Sequence, residues 1–124
     1  MMTPERFADF LIAVSKNEEG RGFAAAGIVA AFVAEDIGSR IVIDPRAQGD
    51  GVWFNVHVDD DEAPAAEVTF TGVSATFDSI LRGDLGIMHA IAARKIVTEG
   101  TTRGAVPRAM RLVPAFERSL AHYR

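Results

Sequence analysis

The apolar positions along the chain follow two periods. Phe7, Phe10, Leu11 and Val14 recur at i, i+3, i+4 and i+7, which places them on one face of a helix from Pro4 to Lys16. Thr3 stands at its N-cap, Pro4 at its first helical position and Glu5 in its first turn. Asn17 to Gly22 reads as a polar, glycine-bearing break. Phe23 to Glu35 satisfies either period, because its alanines favour helix while Ile28, Val29, Phe32 and Val33 fit a strand as well. A turn at Asp36 to Ser39 leads straight into RIVID, so residues 27–34 are assigned to a strand that pairs with it as a hairpin.

The next segments alternate with the period of two expected of half-buried strands. In RIVID, Ile41 and Ile43 point one way and Val42 the other. After a turn at Pro45 to Gly51, VWFNVHV sets Val52, Phe54, Val56 and Val58 against Trp53, Asn55 and His57. Asp59 to Glu62 with Pro64 closes that strand as an acidic loop, and AEVTFT then turns Val68 and Phe70 inward. Beyond it, Leu85, Met88 and Ile91 recur at helical spacing, IVTEG reads as a strand stopped by a glycine, and Val106, Met110 and Val113 open a further helical stripe. The predicted order is a helix, four antiparallel strands, two short helices, a strand and a helix. This is an α+β domain over residues 1–124, with a five-stranded, mainly antiparallel sheet covered on one face by helices.

The run ILRGDLGIMHAIAARKIVTEG, followed by RLVPAF, resembles the sterol-carrier-protein (sterol carrier protein 2-like) lipid-transfer domains. Their latter half carries a glycine-punctuated helix, a second helix, a strand ending in GKxxxxG and a closing helix with LxPxF. Here Arg94-Lys95 stands where that family has Gly-Lys. The resemblance covers about the last half of the chain well, and the first half by arrangement alone. It implies a carrier of apolar ligands, with a tunnel between sheet and helices, and brings neither a catalytic residue nor a cofactor.

The candidate lining of such a tunnel is Phe77, Leu81, Leu85, Met88, Ile91, Val106, Met110, Val113 and Phe116, with Ile80 beside them, facing Phe54, Val56, Val68, Phe70 and Ile96. Stripes like these also build an ordinary filled core. Two features favour a ligand. Met88 and Met110 are flexible enough to repack around varied chains, and Pro114 is expected to kink the closing segment away from the sheet. A dry, empty tunnel of ~400 Å³ would cost about 10 kcal/mol, so without ligand it is expected to be wet or partly collapsed.

Composition narrows the function classes. The chain has 124 residues, 48% hydrophobic and 24% charged, as in ordinary globular domains, and no apolar run approaches the ~18 residues a spanning helix needs. It contains no cysteine, which removes disulfides, thiolate metal sites and cysteine nucleophiles. The start, MMTPERFADF, lacks an apolar signal core, and the end, AHYR, is not a peroxisomal address, so a cytoplasmic location is expected. A net charge of −4 argues against general nucleic-acid binding. Residues 94–124 nonetheless hold seven basic side chains against two acidic ones, leaving +5 there and −9 elsewhere. Such a segment is either a solvated helix face or a surface for anionic membranes or acyl-CoA phosphates. Trp53, opposite in phase to Phe54, is a candidate homodimer contact, although a lone exposed tryptophan needs no such explanation.

Polar constellations add little chemistry. Asp59, Asp60, Asp61 and Glu62 lack the spaced ligands and central glycine of a calcium loop and read as a solvated turn. His57, His89 and His122 show no metal-ligand spacing and no acid obviously paired to orient one. RGDLG reads as a helix stop at Gly83 and a helix N-cap at Asp84. No serine lies in a nucleophile elbow, and neither phosphate-binding glycine motif occurs. The function expected is non-catalytic binding and transfer or presentation of a lipid: fatty acid, acyl-CoA or sterol-like. The alternatives are a small isomerase- or dehydratase-like enzyme with an apolar pocket, or a filled-core accessory module of a lipid or quinone biosynthesis complex.

Overall fold

A computed structural model describes residues 4–46 and 51–123. Helices α1 (Pro4–Ser15) and α2 (Gly20–Ala26) precede strands β1 (Ala30–Ala34), β2 (Ser39–Asp44), β3 (Asn55–Val58) and β4 (Val68–Gly72). Then come α3 (Ser74–Arg82), α4 (Ile87–Ala92), β5 (Val97–Gly100), α5 (Ala105–Ala109) and α6 (Leu112–Tyr123). The strands form one five-stranded sheet in the order β3-β2-β1-β4-β5. Thr3, and residues 47–50 of the expected turn, lie outside the described residues.

Local pattern accounts for α1. Its stripe of Phe7, Phe10, Leu11 and Val14 is fully buried. The ambiguous stretch after it contains both structures its sequence allowed. Residues 20–26 are helix, and Gly27 ends the helix in the left-handed conformation (φ 62°), donating its N–H to the Ala24 carbonyl. Residues 30–34 are the strand. The expected break over 17–22 is therefore corrected, since α2 begins inside it. Its glycines are spacers: a Cβ on Gly20 would lie 2.6 Å from the Val14 carbonyl oxygen and 2.8 Å from the Trp53 ring. Trp53 thus packs against the core beside α2 rather than standing free, with the Arg21 guanidinium 5.3 Å over its ring.

The sheet is mixed. β1–β2, β2–β3 and β4–β5 pair antiparallel, but β4 pairs with β1 in parallel, Ala30 opposite Val68 and Ala34 opposite Gly72. This corrects the expectation of four successive antiparallel strands. Instead of making a hairpin, the connection from β3 to β4 crosses three strand spacings of ~4.8 Å over the outer face of the sheet. There Ala63 and Ala66 cover the small buried cluster of Val29, Ala31 and Val42. The helices lie on the other face. β3 is shorter than the expected 52–58 strand; as an edge strand it leaves Val58 38% exposed, although Phe54 just before it is buried.

The closing segment is two helices, α5 and α6, rather than one kinked helix. Pro114 is the third residue of α6, within the first turn, where backbone N–H groups have no intrahelical acceptor to lose, so the expected kink is absent. Gly83 does stop α3 (φ 87°), but the residue capping α4 is Gly86, and Asp84 turns back to Arg82 at 3.5 Å.

Candidate functional site

The interface between sheet and helices is organised by aromatic rings. All eight phenylalanines of the chain are buried, and each contacts at least one other. Phe116 from α6 lies 5.9 Å from Phe7, 5.3 Å from Phe10, 5.6 Å from Phe23 and 5.8 Å from Phe32. Phe32 and Phe70, opposite each other on β1 and β4, stack at 5.4 Å with their planes 12° apart. Phe7 meets Phe77 edge-on at 5.2 Å.

Beside these rings is a small cavity of ≈ 30 Å³, bounded by Phe7, Phe32, Phe70, Phe77, Ile80, Ile87, Ile96, Leu112, Val113 and Phe116. Its lining is wholly apolar, and α1, β1, β4, α3, α4 and α6 all contribute to it. Such a cavity stays dry unless filled by an apolar group. At about 24 cal/mol per Å³ its emptiness costs only about 0.7 kcal/mol, against about 10 kcal/mol for a dry tunnel of ~400 Å³. The interior is thus nearly closed.

Of the residues anticipated as a lining, Phe70, Phe77, Ile96, Val113 and Phe116 border the cavity. Val68 and Leu81 are buried in the same core without reaching it, and Phe54 lies on the α2 side against Phe23, at 5.3 Å. Val56, Leu85, Ile91 and Met110 are partly buried against the core, and Val106 packs over Gly100. Met88, expected to face inward, is 52% exposed. The helix starts at Ile87 and buries Ile87 and Ala90, one residue out of phase with the stripe read from Leu85, which precedes the helix. Sequence reasoning missed Phe7, Phe32, Ile87 and Leu112. Their signal was present, since Phe7 belongs to the α1 stripe and Leu112 to the RLVPAF motif, but nothing local says that they share one space.

Gly72 explains how Ile96 reaches the cavity. A Cβ there would come within 2.8 Å of Ile96 Cδ1 and 2.9 Å of the Lys95 carbonyl oxygen, so a bare backbone lets the chain entering β5 press over the end of β4.

Polar partners hold the frame. Asp36 caps α3, accepting hydrogen bonds from the Ser74 hydroxyl (2.6 Å) and N–H (2.8 Å), and these bonds lower its carboxyl pKa. Arg108 ties α5 to the start of the sheet by donating to the Gly27 carbonyl at 2.7 Å and lying 3.6 Å from Glu67. Two histidines that looked unpaired have acids: His57 Nδ1 is 3.0 Å from Asp60, and His122 Nε2 is 3.0 Å from Glu19. The Asp60 carboxyl is held below its ordinary pKa by the Glu62 N–H and then by His57. None of these groups borders the cavity. No helix among the described residues is long and apolar enough to cross a membrane.

The architecture has close counterparts. No family profile and no curated sequence matches the chain. A crystal structure of sterol carrier protein 2 superposes with a TM-score of 0.65 over 93% of this chain and 94% of that one, at 18% identity. A UbiJ-SCP2 ubiquinone synthesis protein gives 0.62 over 94% of both chains at 10% identity. The inverting sec-alkylsulfatase Pisa1 from Pseudomonas sp. gives 0.63 at 23% identity over 94% of this chain, which spans only 16% of the length of that enzyme. The fold is that of the sterol-carrier-protein domains, a mixed five-stranded sheet with helices on one face.

Proposed function

We propose that this domain binds an apolar lipid between sheet and helices and carries or presents it without transforming it. The observation that carries this reading is the wholly apolar cavity at the meeting point of six elements, in a fold shared with sterol carrier protein 2. A lining of hydrocarbon alone supplies burial and offers no acid, base or nucleophile to a bound chain. Burying about ten methylenes at ~0.8 kcal/mol each yields about 8 kcal/mol before ordering costs, compatible with micromolar affinity. The ligand enters by displacing aliphatic side chains around the ≈ 30 Å³ void rather than by filling a standing tunnel.

The near closure of that void favours a second reading, a filled-core accessory module, and the ubiquinone synthesis protein of the same fold fits it. Titration with a fluorescent fatty acid, together with mass spectrometry of a solvent extract of the purified protein, separates the two. Saturable one-to-one binding or a co-purified lipid supports the carrier. Neither would leave the filled module standing.

A further inference from the structure

Thr98 places a hydroxyl on the inner surface of the sheet. It stands opposite Phe70 across the antiparallel β4–β5 pair, and directly opposed residues share a face. Ile96 precedes it by two residues, so it points to the same side. Phe70 and Ile96 both border the cavity, which puts Thr98 beside two of its walls. The Thr98 oxygen is buried and has no hydrogen-bond partner among the described residues.

A buried hydroxyl without a partner is destabilising, and valine would fill the same shape at a strand position without that cost. The other buried side-chain oxygen without a hydrogen bond among the described residues, Asp78 Oδ1, differs, because its carboxylate is matched by Arg6 at 3.6 Å and Arg82 at 3.3 Å. Thr98 has no such charge to match it. Its surroundings also suit the polar end of a ligand. β5 is the edge strand, and the next inward position, Gly100, lies under the start of the short helix α5. Val106 and Met110 there are only partly buried, so the apolar space grades toward solvent on this side.

We infer that Thr98 is a polar anchor for the bound lipid. The ligand is then an amphiphile whose terminal oxygen group, a hydroxyl or carboxyl, hydrogen-bonds Thr98 Oγ1 while its chain runs past Phe70 and Ile96 into the cavity. This rests on the lipid-binding reading and narrows it to chains with one oxygen function at the end.

The test compares the full-length protein with Thr98→Val and Thr98→Ser, using decane and decanol as competitors of a fluorescent fatty acid and denaturant melts for stability. For Thr98→Val the expectation is an unchanged or raised unfolding midpoint, unchanged decane affinity, and about tenfold weaker decanol binding, the loss of one hydrogen bond. Thr98→Ser should keep the decanol preference. A lowered midpoint in Thr98→Val with wild-type stability in Thr98→Ser would mean that the hydroxyl already has a partner in the free protein, and would overturn the inference. So would an unchanged decanol affinity in Thr98→Val while both probes bind, and that result would leave lipid binding itself intact. Binding of neither probe nor of the fluorescent fatty acid to the wild-type protein would overturn both readings together.

Discussion

The two sides of the helix–sheet interface are packed on different principles. On the Phe116 side, rings from α1, α2 and β1 meet the Phe116 ring of α6 at 5.3–5.9 Å and fix its orientation. Toward α3, α4 and β5, the wall is mostly aliphatic, Ile80, Ile87, Ile96, Leu112 and Val113 with Phe77 among them, and the void lies between this wall and the edge of the rings of Phe7, Phe32, Phe70 and Phe116. Rigid rings in mutual contact leave few alternative packings. Aliphatic side chains around a gap lack packing partners on one side, and α4 is a helix of only six residues. The aromatic side anchors the packing, and the aliphatic side is where the packing leaves a gap.

Removing the anchor should have the largest effect. Phe116→Ala deletes a ring that meets four others, and a loss of about 3–5 kcal/mol is expected, a large share of a domain's ordinary 5–15 kcal/mol. Urea unfolding followed by circular dichroism measures it; a loss below about 1 kcal/mol would erase the distinction between the two sides.

Filling the gap should act in the opposite sense. Val113→Ile adds one methylene at the edge of a ≈ 30 Å³ cavity, so stability should rise by up to ~0.8 kcal/mol. The same methylene then crowds the bound state, and lipid affinity should fall by roughly 1–3 kcal/mol. Unchanged affinity in a fatty-acid titration would move the ligand away from Val113.

The aliphatic side also depends on an exposed cap. Asp36 holds the start of α3, which supplies Phe77 and Ile80, and its folded pKa is lowered by hydrogen bonds from Ser74. The stability it contributes is therefore complete above the unfolded value of about 3.9 and is lost as pH falls through the lower folded value. Asp36→Ala should unfold at a lower temperature than the wild type near pH 7, with the gap narrowing under acid. A gap constant down to pH 2 would show that the carboxylate charge is not involved.

Much of this could be read from the chain where the cause is local. The α1 stripe, the hairpin after Asp36, the strand ending at Gly100 and the helix stop at Gly83 follow from periodicity and glycine conformation within a few residues. The RLVPAF motif pointed to Val113 and Phe116, two walls of the cavity. The phase of α4 did not follow, because six residues are too few for a period to show which of Ile87 and Met88 turns inward.

What only the tertiary structure decided are the long-range choices. The parallel seating of β4 on β1 joins residues 38 apart, and no local signal separates that pairing from a hairpin with β3. Gly20 reads as a helix breaker in sequence, yet in space it lets α2 approach Val14 and Trp53. Phe7 and Phe32 belong to elements that carry no lipid-carrier motif, and they reach the cavity because the Phe7 ring of α1 meets the Phe32 ring of β1, 5.3 Å apart. Periodicity states which face of an element is apolar. Which apolar faces meet, and whether they leave a gap, depends on side-chain volumes contributed by segments far apart in the chain.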